Sequence, residues 1–215
     1  PAGAVVGIIG PNGAGKTTFF NIISGVYKPT SGKVLLDGED ITSLPQHEVS
    51  KKGMARTFQN IRLFSQLDNV RNVQSALDAR ANYTMVEAIL GLPRKRSEDK
   101  KNYDIAMECL ELVGLKDFAH DRPGNLPYGM QRKVELARAL ASDPKLLLLD
   151  EHTAALDPAT AEKVLTLTQD IVRENHLTCL MITHNMRSAL QLGNRTLMMH
   201  AGRIVMDVSG AEREK

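Results

Sequence analysis

From Gly10 to Thr17 the chain reads GPNGAGKT, which fits the spacing G-x-x-x-x-G-K-[ST]. Glycines in such a loop let the backbone come close to a ligand, the lysine supplies a point charge, and the threonine hydroxyl suits a hard cation. The run follows AVVGIIG, a short apolar stretch with strand character, and leads into KTTFFNIISG, which is helical and ends at Gly25. A strand, a glycine loop and a helix in that order aim successive backbone N–H groups and the positive end of the helix dipole at phosphate oxygens. Asn12, Gly13, Ala14, Gly15, Lys16, Thr17 and Thr18 are therefore the expected contacts to a nucleoside triphosphate, with Thr17 offering its hydroxyl to Mg2+.

Hydrolysis needs more than a cradle. LLLLDE, Leu146 to Glu151, sets two adjacent carboxylates at the end of an apolar strand, where open α/β sheets bind ligands. Asp150 is expected to hold the Mg2+ shell and Glu151 to polarise a water for in-line attack on the γ-phosphate. His184 closes the next apolar strand, LTCLMITH, at a similar height. Taken alone, an Asp-Glu strand end is more often an ordinary solvent-facing terminus and a lone histidine more often structural. The phosphate loop upstream gives both weight.

The elements that must position these residues alternate along the chain. KVLLDGEDI carries a turn at Asp37-Gly38, ARTFQNIRLF is extended, KLLLLDE is a buried strand, TAEKVLTLTQDIVREN a helix and RTLMMHAGRIVMDV a hairpin around Ala201-Gly202. From about 67 to 141 the pattern is helical, interrupted by GLPRKRSEDKK and DRPGNLPYG. The expected fold is α/β: a P-loop NTPase core with a mainly parallel sheet and hairpin elements, residues 1–66 and 142–215, split by a helical subdomain, residues 67–141. Arg94, Lys95, Arg96, Lys100 and Lys101 read as a solvated loop, because no aromatic residues are interleaved for stacking on bases.

In order and spacing these motifs resemble the ATP-binding-cassette family over nearly the whole chain. GPNGAGKTT is the phosphate loop, Gln59 in ARTFQNIRLF the Q-loop, LPYGMQ a variant of the signature, LLLLDE the metal and glutamate motif, AALDP with Asp157 the D-loop, and ITHNM with His184 the switch histidine. The resemblance implies that Gln59 senses metal and γ-phosphate and hinges the helical insertion, and that His184 contacts the γ-phosphate. It implies that Asp157 works across a dimer seam. It also implies that the turn of Pro127, Tyr128, Gly129 and Met130 faces the γ-phosphate bound by an opposite subunit, so that two chains sandwich two ATP molecules. The family pattern there is Leu-Ser-Gly-Gly-Gln. Pro127 replaces the serine and Met130 the glutamine, so the hydroxyl contact is lost, while Gly129 and the helix N-terminus keep their backbone N–H groups.

The partners implied are a second nucleotide-binding subunit, identical or not, membrane permease subunits engaged near Gln59, and indirectly a solute-binding protein, with the chain on the cytoplasmic face of the plasma membrane. GMARTFQNIRLF and YGMQRKVELARAL resemble ATPases of branched-chain and other hydrophobic amino-acid importers. From LLLLDEHTAALDP onward the chain is closer to a related group for aromatic amino acids or similar small solutes; a divergent lineage and a recombined chain read alike. The family's adenine-stacking aromatic lies well upstream of the phosphate loop, and with nine residues before Gly10 the chain reads as N-terminally truncated. His152 stands where proline commonly follows the glutamate, and reads as a subfamily difference.

Composition narrows the alternatives. Lys and Arg number 27 against 25 Asp and Glu, a net charge of +2 that gives no general drive toward nucleic acid or membrane. Cys109 and Cys179 lie in apolar patterns and read as packed, reduced thiols. His47, His120, His176 and His200 have no partner pattern and are expected at the surface. No stretch approaches 18 apolar residues. An ATPase acting on nucleic acid or ribosomes generally carries coiled-coil arms or tandem cassettes, which this sequence does not show. A binding module with little hydrolysis is suggested by Pro127 and Met130, and opposed by Lys16, Asp150, Glu151 and His184. The guanine-reading Asn-Lys-x-Asp of GTPases is absent.

Overall fold

A computed structural model describes residues 3–78, 93–151, 153, 156–183, 189 and 193–210. Its packing forms two compact units, one of residues 1–60 with 144–215 and one of Ile61–Asp143.

The first unit is built on a six-stranded sheet. Its strands are β1 (Val5–Ile9), β4 (Met54–Thr57), β5 (Leu146–Asp150), β6 (Thr178–Ile182), β7 (Arg195–His200) and β8 (Arg203–Ser209), in the order β4-β5-β6-β1-β7-β8. All neighbours are parallel except β7 and β8. Parallel strands are covered on both faces, which is why VVGII and LLLLD are continuous apolar runs instead of alternating ones. The helices α1 (Lys16–Ile23), α2 (Gln46–Lys51) and α6 (Pro158–Glu174) belong to this unit. Ile8, Phe20, Val49, Leu148 and Ile182 are the centre of its core.

Two hairpins have the two-residue turn the sequence predicts. In the short pair β2 (Leu35–Leu36) and β3 (Glu39–Asp40), Asp37 and Gly38 take φ of 50° and 79°; between β7 and β8, Ala201 and Gly202 take 47° and 76°. Two successive left-handed residues match the right-handed twist of the flanking strands.

The second unit is three helices, α3 (Asn69–Asp78), α4 (Pro93–Leu112) and α5 (Tyr128–Ala141), packed against one another with short 3-10 turns at Lys116–Phe118 and Pro123–Asn125. Here one expectation is corrected: Lys95, Arg96, Lys100 and Lys101 lie within the first half of α4, not in a loop. Pro93 is its first residue, where a missing N–H costs nothing, and an ion pair joins Lys95 to Asp99 one turn on. The buried stripe, Asn102, Ala106, Cys109 and Leu110, begins only after these charged turns, so apolar periodicity is silent where the helix starts.

Cys109 and Cys179 are free and buried, and burial pushes their thiols up to about 11 and about 12. His47, His120, His176 and His200 are exposed. Among the described residues no helix is long and apolar enough to cross a membrane.

Leu148 is fully buried between β4 and β6, opposite Arg56 and Leu180. Leu148→Ala is expected to lower unfolding free energy by about 2–5 kcal/mol through lost transfer energy and the cavity left behind. Urea unfolding measures this, and a loss below about 1 kcal/mol would mean that the strand's centre collapses around the gap.

Candidate active site

Parallel pairing brings the candidate residues to one edge of the sheet. Ile8 of β1 lies opposite Ile182 of β6, and Ile182 lies opposite Asp150 of β5. The chain leaves β1 into the glycine loop and leaves β5 at Glu151, so loop and carboxylates emerge on the same side. They are two strand spacings apart, about 10 Å.

The loop's glycines are used for geometry that other residues cannot supply. Gly10 has φ 150°, and a Cβ there would sit 2.2 Å from the Met199 carbonyl oxygen. Gly13 and Gly15 take φ of 78° and 97°, and Gly15 is the N-cap of α1. Behind the loop, the Gly202 N–H at the β7–β8 turn donates to the Ala14 carbonyl at 2.9 Å, so the hairpin backs the cradle. Asn12, Gly13, Thr17 and Thr18 are exposed at its mouth.

Lys16 is 5% exposed, and its ammonium donates to the carbonyls of Gly10 at 2.8 Å and Pro11 at 3.0 Å. Among the described residues no carboxylate pairs with it. A buried cation without a counter-charge is costly unless an anion completes it. The loop is thus shaped and charged for a polyanion.

The carboxylates face different partners. Asp150 accepts at Oδ2 from the Arg56 guanidinium at 2.8 Å, with both side chains almost fully buried. Glu151 takes φ 47°, a left-handed conformation that is uncommon for a residue with a side chain and costs roughly 1 kcal/mol or more. Its N–H is held by the Ile182 carbonyl at 3.1 Å, and its Oε2 accepts from Gln59 Nε2 at 3.1 Å. Gln59, three residues past Arg56 and beyond the end of β4, therefore reaches the glutamate directly. Thr17, Asp150 and Gln59 offer hydroxyl, carboxylate and amide oxygens, a hard donor set that fits Mg2+. Among the described residues no group of three His, Cys, Asp or Glu forms a metal cage. A single carboxylate beside a phosphate cradle is the usual arrangement for this ion, which keeps waters and takes substrate phosphate oxygens.

Other expected residues are placed as follows. Asp157 caps α6, accepting from the Thr160 N–H at 2.9 Å. That backbone bond holds its carboxyl below the usual carboxylate range, so the cap's contribution is present above the unfolded value and fades as pH falls through the folded one. His184 and His152 lie outside the described residues. In the second unit, Pro127 is the N-cap of α5 with φ −52° and ψ 149°, and no side chain caps the helix. Gly129 and Met130 are half-buried and Tyr128 is exposed. The Tyr128 hydroxyl meets Arg132 at 2.9 Å, the guanidinium lies 5.3 Å from the Tyr128 ring centroid, and Arg132 also bonds Glu135 at 2.9 Å inside the helix packing.

Arg56, Arg132, Glu135 and Arg138 went unnoticed in the sequence. Each reads there as one more charge, and only the fold buries the side chains of Arg56, Arg132 and Glu135 and half-buries Arg138, whose guanidinium burial pushes below its usual range against the opposing charge of Glu135. The one signal in the sequence for Arg56 is its position in a strand that leads to Gln59.

Residues 1–154 match the family model described as ABC transporter. This chain belongs to that family. It is an ATPase cassette with a P-loop α/β core. The high-affinity branched-chain amino acid transport ATP-binding protein BraF of Pseudomonas aeruginosa is 37% identical over 203 residues, covering 94% of this chain and 80% of BraF. The tyrosine transport ATP-binding protein of Clostridioides difficile is 37% identical over 215 residues, covering 99% of this chain and 82% of that protein. Among solved structures, the dimeric ATP-binding cassette MJ0796 in a post-hydrolysis state, bound to ADP and Pi, superimposes with a TM-score of 0.80 at 30% identity. It covers 97% of this chain and 86% of that one.

Lys16→Met, which keeps the side chain's length without its charge, is expected to leave nucleotide-free stability unchanged or raised, since it removes a buried cation that has no counter-charge among the described residues. ATP affinity should fall by about 10- to 100-fold, the worth of one charge-assisted hydrogen bond. Thermal unfolding without nucleotide and calorimetric titration with ATP read the two effects, and unchanged ATP affinity would remove Lys16 from the cradle.

Proposed function

We propose that this cassette is the ATP-hydrolysing subunit of an importer for amino acids or similar small solutes, coupling ATP-driven closure of a dimer to transport through membrane permease subunits. The observation that carries the chemical part is the buried Lys16 ammonium, held among the described residues by loop carbonyls alone, on the same sheet edge as Asp150 and Glu151. The names of BraF and of the tyrosine transport protein support the importer and its class of solute over an ATPase acting on nucleic acid.

In this reading Asn12, Gly13, Ala14, Gly15 and Thr18 surround the phosphates with backbone and side-chain donors. Lys16 exchanges its carbonyl acceptors for phosphate oxygens. Thr17, Gln59 and Asp150 hold Mg2+, which when bound neutralises charge on the phosphates. Glu151 orients a water and accepts its proton as the water attacks the γ-phosphate in line. Gln59 keeps the Glu151 carboxylate aimed until nucleotide arrives, a role supported by their 3.1 Å hydrogen bond. His184 contacts the γ-phosphate.

The dimer is supported by the described assembly of MJ0796. Pro127, Tyr128, Gly129 and Met130 then present the start of α5 to the γ-phosphate of the opposite subunit, and Asp157 lies at the seam. The helical subdomain carrying this turn is residues 67–141, inside the compact unit Ile61–Asp143, and the chain works at the cytoplasmic face of the membrane beside its permease and, indirectly, a solute-binding protein.

Two substitutions test the reading. Glu151→Gln keeps shape and ATP binding but removes the proton acceptor, so phosphate release is expected to drop by about 10²–10⁴-fold. Near-normal turnover would exclude Glu151 from the chemistry.

Pro127→Ser with Met130→Gln restores the family pattern. Serine at this uncapped N-cap adds about 0.5–2 kcal/mol, while loss of proline frees the unfolded chain by about 0.4–1 kcal/mol, so monomer stability should change little. Dimerisation with Mg-ATP, followed by sedimentation in the Glu151→Gln background, should strengthen by about tenfold or more, the worth of the regained hydroxyl contact. An unchanged dimer constant would mean that the turn only starts a helix.

A further inference from the structure

One buried guanidinium joins three parts of the site. Arg56 Nη2 donates to Asp150 Oδ2 at 2.8 Å, and Nη1 donates to Asn21 Oδ1 at 2.8 Å and Ser24 Oγ at 2.9 Å, both at the far end of the helix that begins with Lys16. The Phe58 and Phe20 rings flank it, with centroids 4.9 and 5.7 Å away. Arg56 Nε is buried without a hydrogen-bond partner among the described residues. Asp150 has no other hydrogen bond among them, so its second oxygen is uncommitted.

A charge this deep, with one donor left unsatisfied, is a poor way to add stability, because an apolar side chain of the same volume packs as well without the desolvation cost. The guanidinium does what an apolar residue cannot. It takes one carboxylate oxygen in a fixed direction, leaving the other to point from a side chain that cannot rotate. Mg2+ tolerates little departure from octahedral geometry, and hydrogen-bond partners behind a ligating carboxylate commonly set metal affinity by about 10–100-fold.

We infer that Arg56 is a positioning residue for the divalent cation: it locks the Asp150 carboxylate so that one oxygen faces the ion, and ties that orientation to β4, whose chain continues to Gln59, and to the helix of Lys16. The inference rests on the reading of Asp150 as the metal carboxylate. It assigns Arg56 no contact with nucleotide.

Mn2+ binding to the ATP complex, read by electron paramagnetic resonance in the Glu151→Gln background, tests it without turnover. Arg56→Met is expected to raise the half-saturating Mn2+ concentration by about tenfold or more. Metal-free ATP binding should stay within about twofold, because the loop and Lys16 are untouched. Arg56→Lys, which keeps the charge but cannot bridge three acceptors, should show a smaller rise of at least about threefold, and it alone decides the matter if Arg56→Met fails to fold. A smaller shift in the variants that fold overturns the inference. So does tighter Mn2+ binding, the outcome if Arg56 acts only by repelling the cation, or a parallel loss of metal-free ATP binding, the outcome if it only props up the loop. Asp150→Asn separates the premises: if it leaves Mn2+ binding unchanged, the metal role of Asp150 fails; if it weakens Mn2+ binding while the Arg56 variants do not, only the role of Arg56 fails.

Discussion

The site depends on a cation that the fold buries with no counter-ion among the described residues. Lys16 is held by two carbonyls of its own loop, and the loop can bring those carbonyls inward only because Gly10, Gly13 and Gly15 adopt backbone angles that side chains oppose. Hydrogen bonds from a charged donor return about 1.5–3 kcal/mol each, against a desolvation cost of several kcal/mol for the ion. The nucleotide-free state is therefore poised for an anion, and phosphate completes what the fold leaves open. In the proposed reading, binding energy and specificity for a polyphosphate arise from the same imbalance.

Around that cation the sheet supplies carboxylates at a controlled distance. Because β1, β6 and β5 are parallel and in register, their ends share one edge, and no loop has to reach across to bring the groups together. The two neighbouring acids are then separated in role by what holds them. Asp150 ends its strand inside the core, fixed by Arg56, while Glu151 turns out through a left-handed residue and meets Gln59. One acid is immobilised, and the other accepts from the Gln59 side-chain amide a hydrogen bond that a ligand can replace. In the proposed reading this is the division between holding a metal and activating a water.

Much of this was legible in the sequence wherever one residue type answers one physical demand. Glycine loops need glycine, strands buried on both faces need unbroken apolar runs, and a two-residue hairpin needs residues that tolerate positive φ; hence the loop from Gly10, the strands at Val5 and Leu146, and the turns at Asp37-Gly38 and Ala201-Gly202. The start of α4 was not legible, because its charged turns precede the buried stripe and leave no periodic trace. Nor was Arg56, since a guanidinium in a strand reveals nothing of its partner until β4 and β5 pair and α1 packs over them. The uncapped start of α5 at Pro127 stood out as a departure from the family pattern. The network of Tyr128, Arg132 and Glu135 behind it appears only when the helices pack.

The most direct measurement is calorimetric titration of the nucleotide-free chain with ATP, ADP and AMP in the absence of metal. If the buried Lys16 and the loop N–H groups carry recognition, ATP and ADP bind and AMP, which lacks the phosphates that enter the cradle, binds at least about tenfold more weakly. Equal affinity for AMP would contradict the account, since recognition would then lie outside the loop on which every other part of the site has been placed.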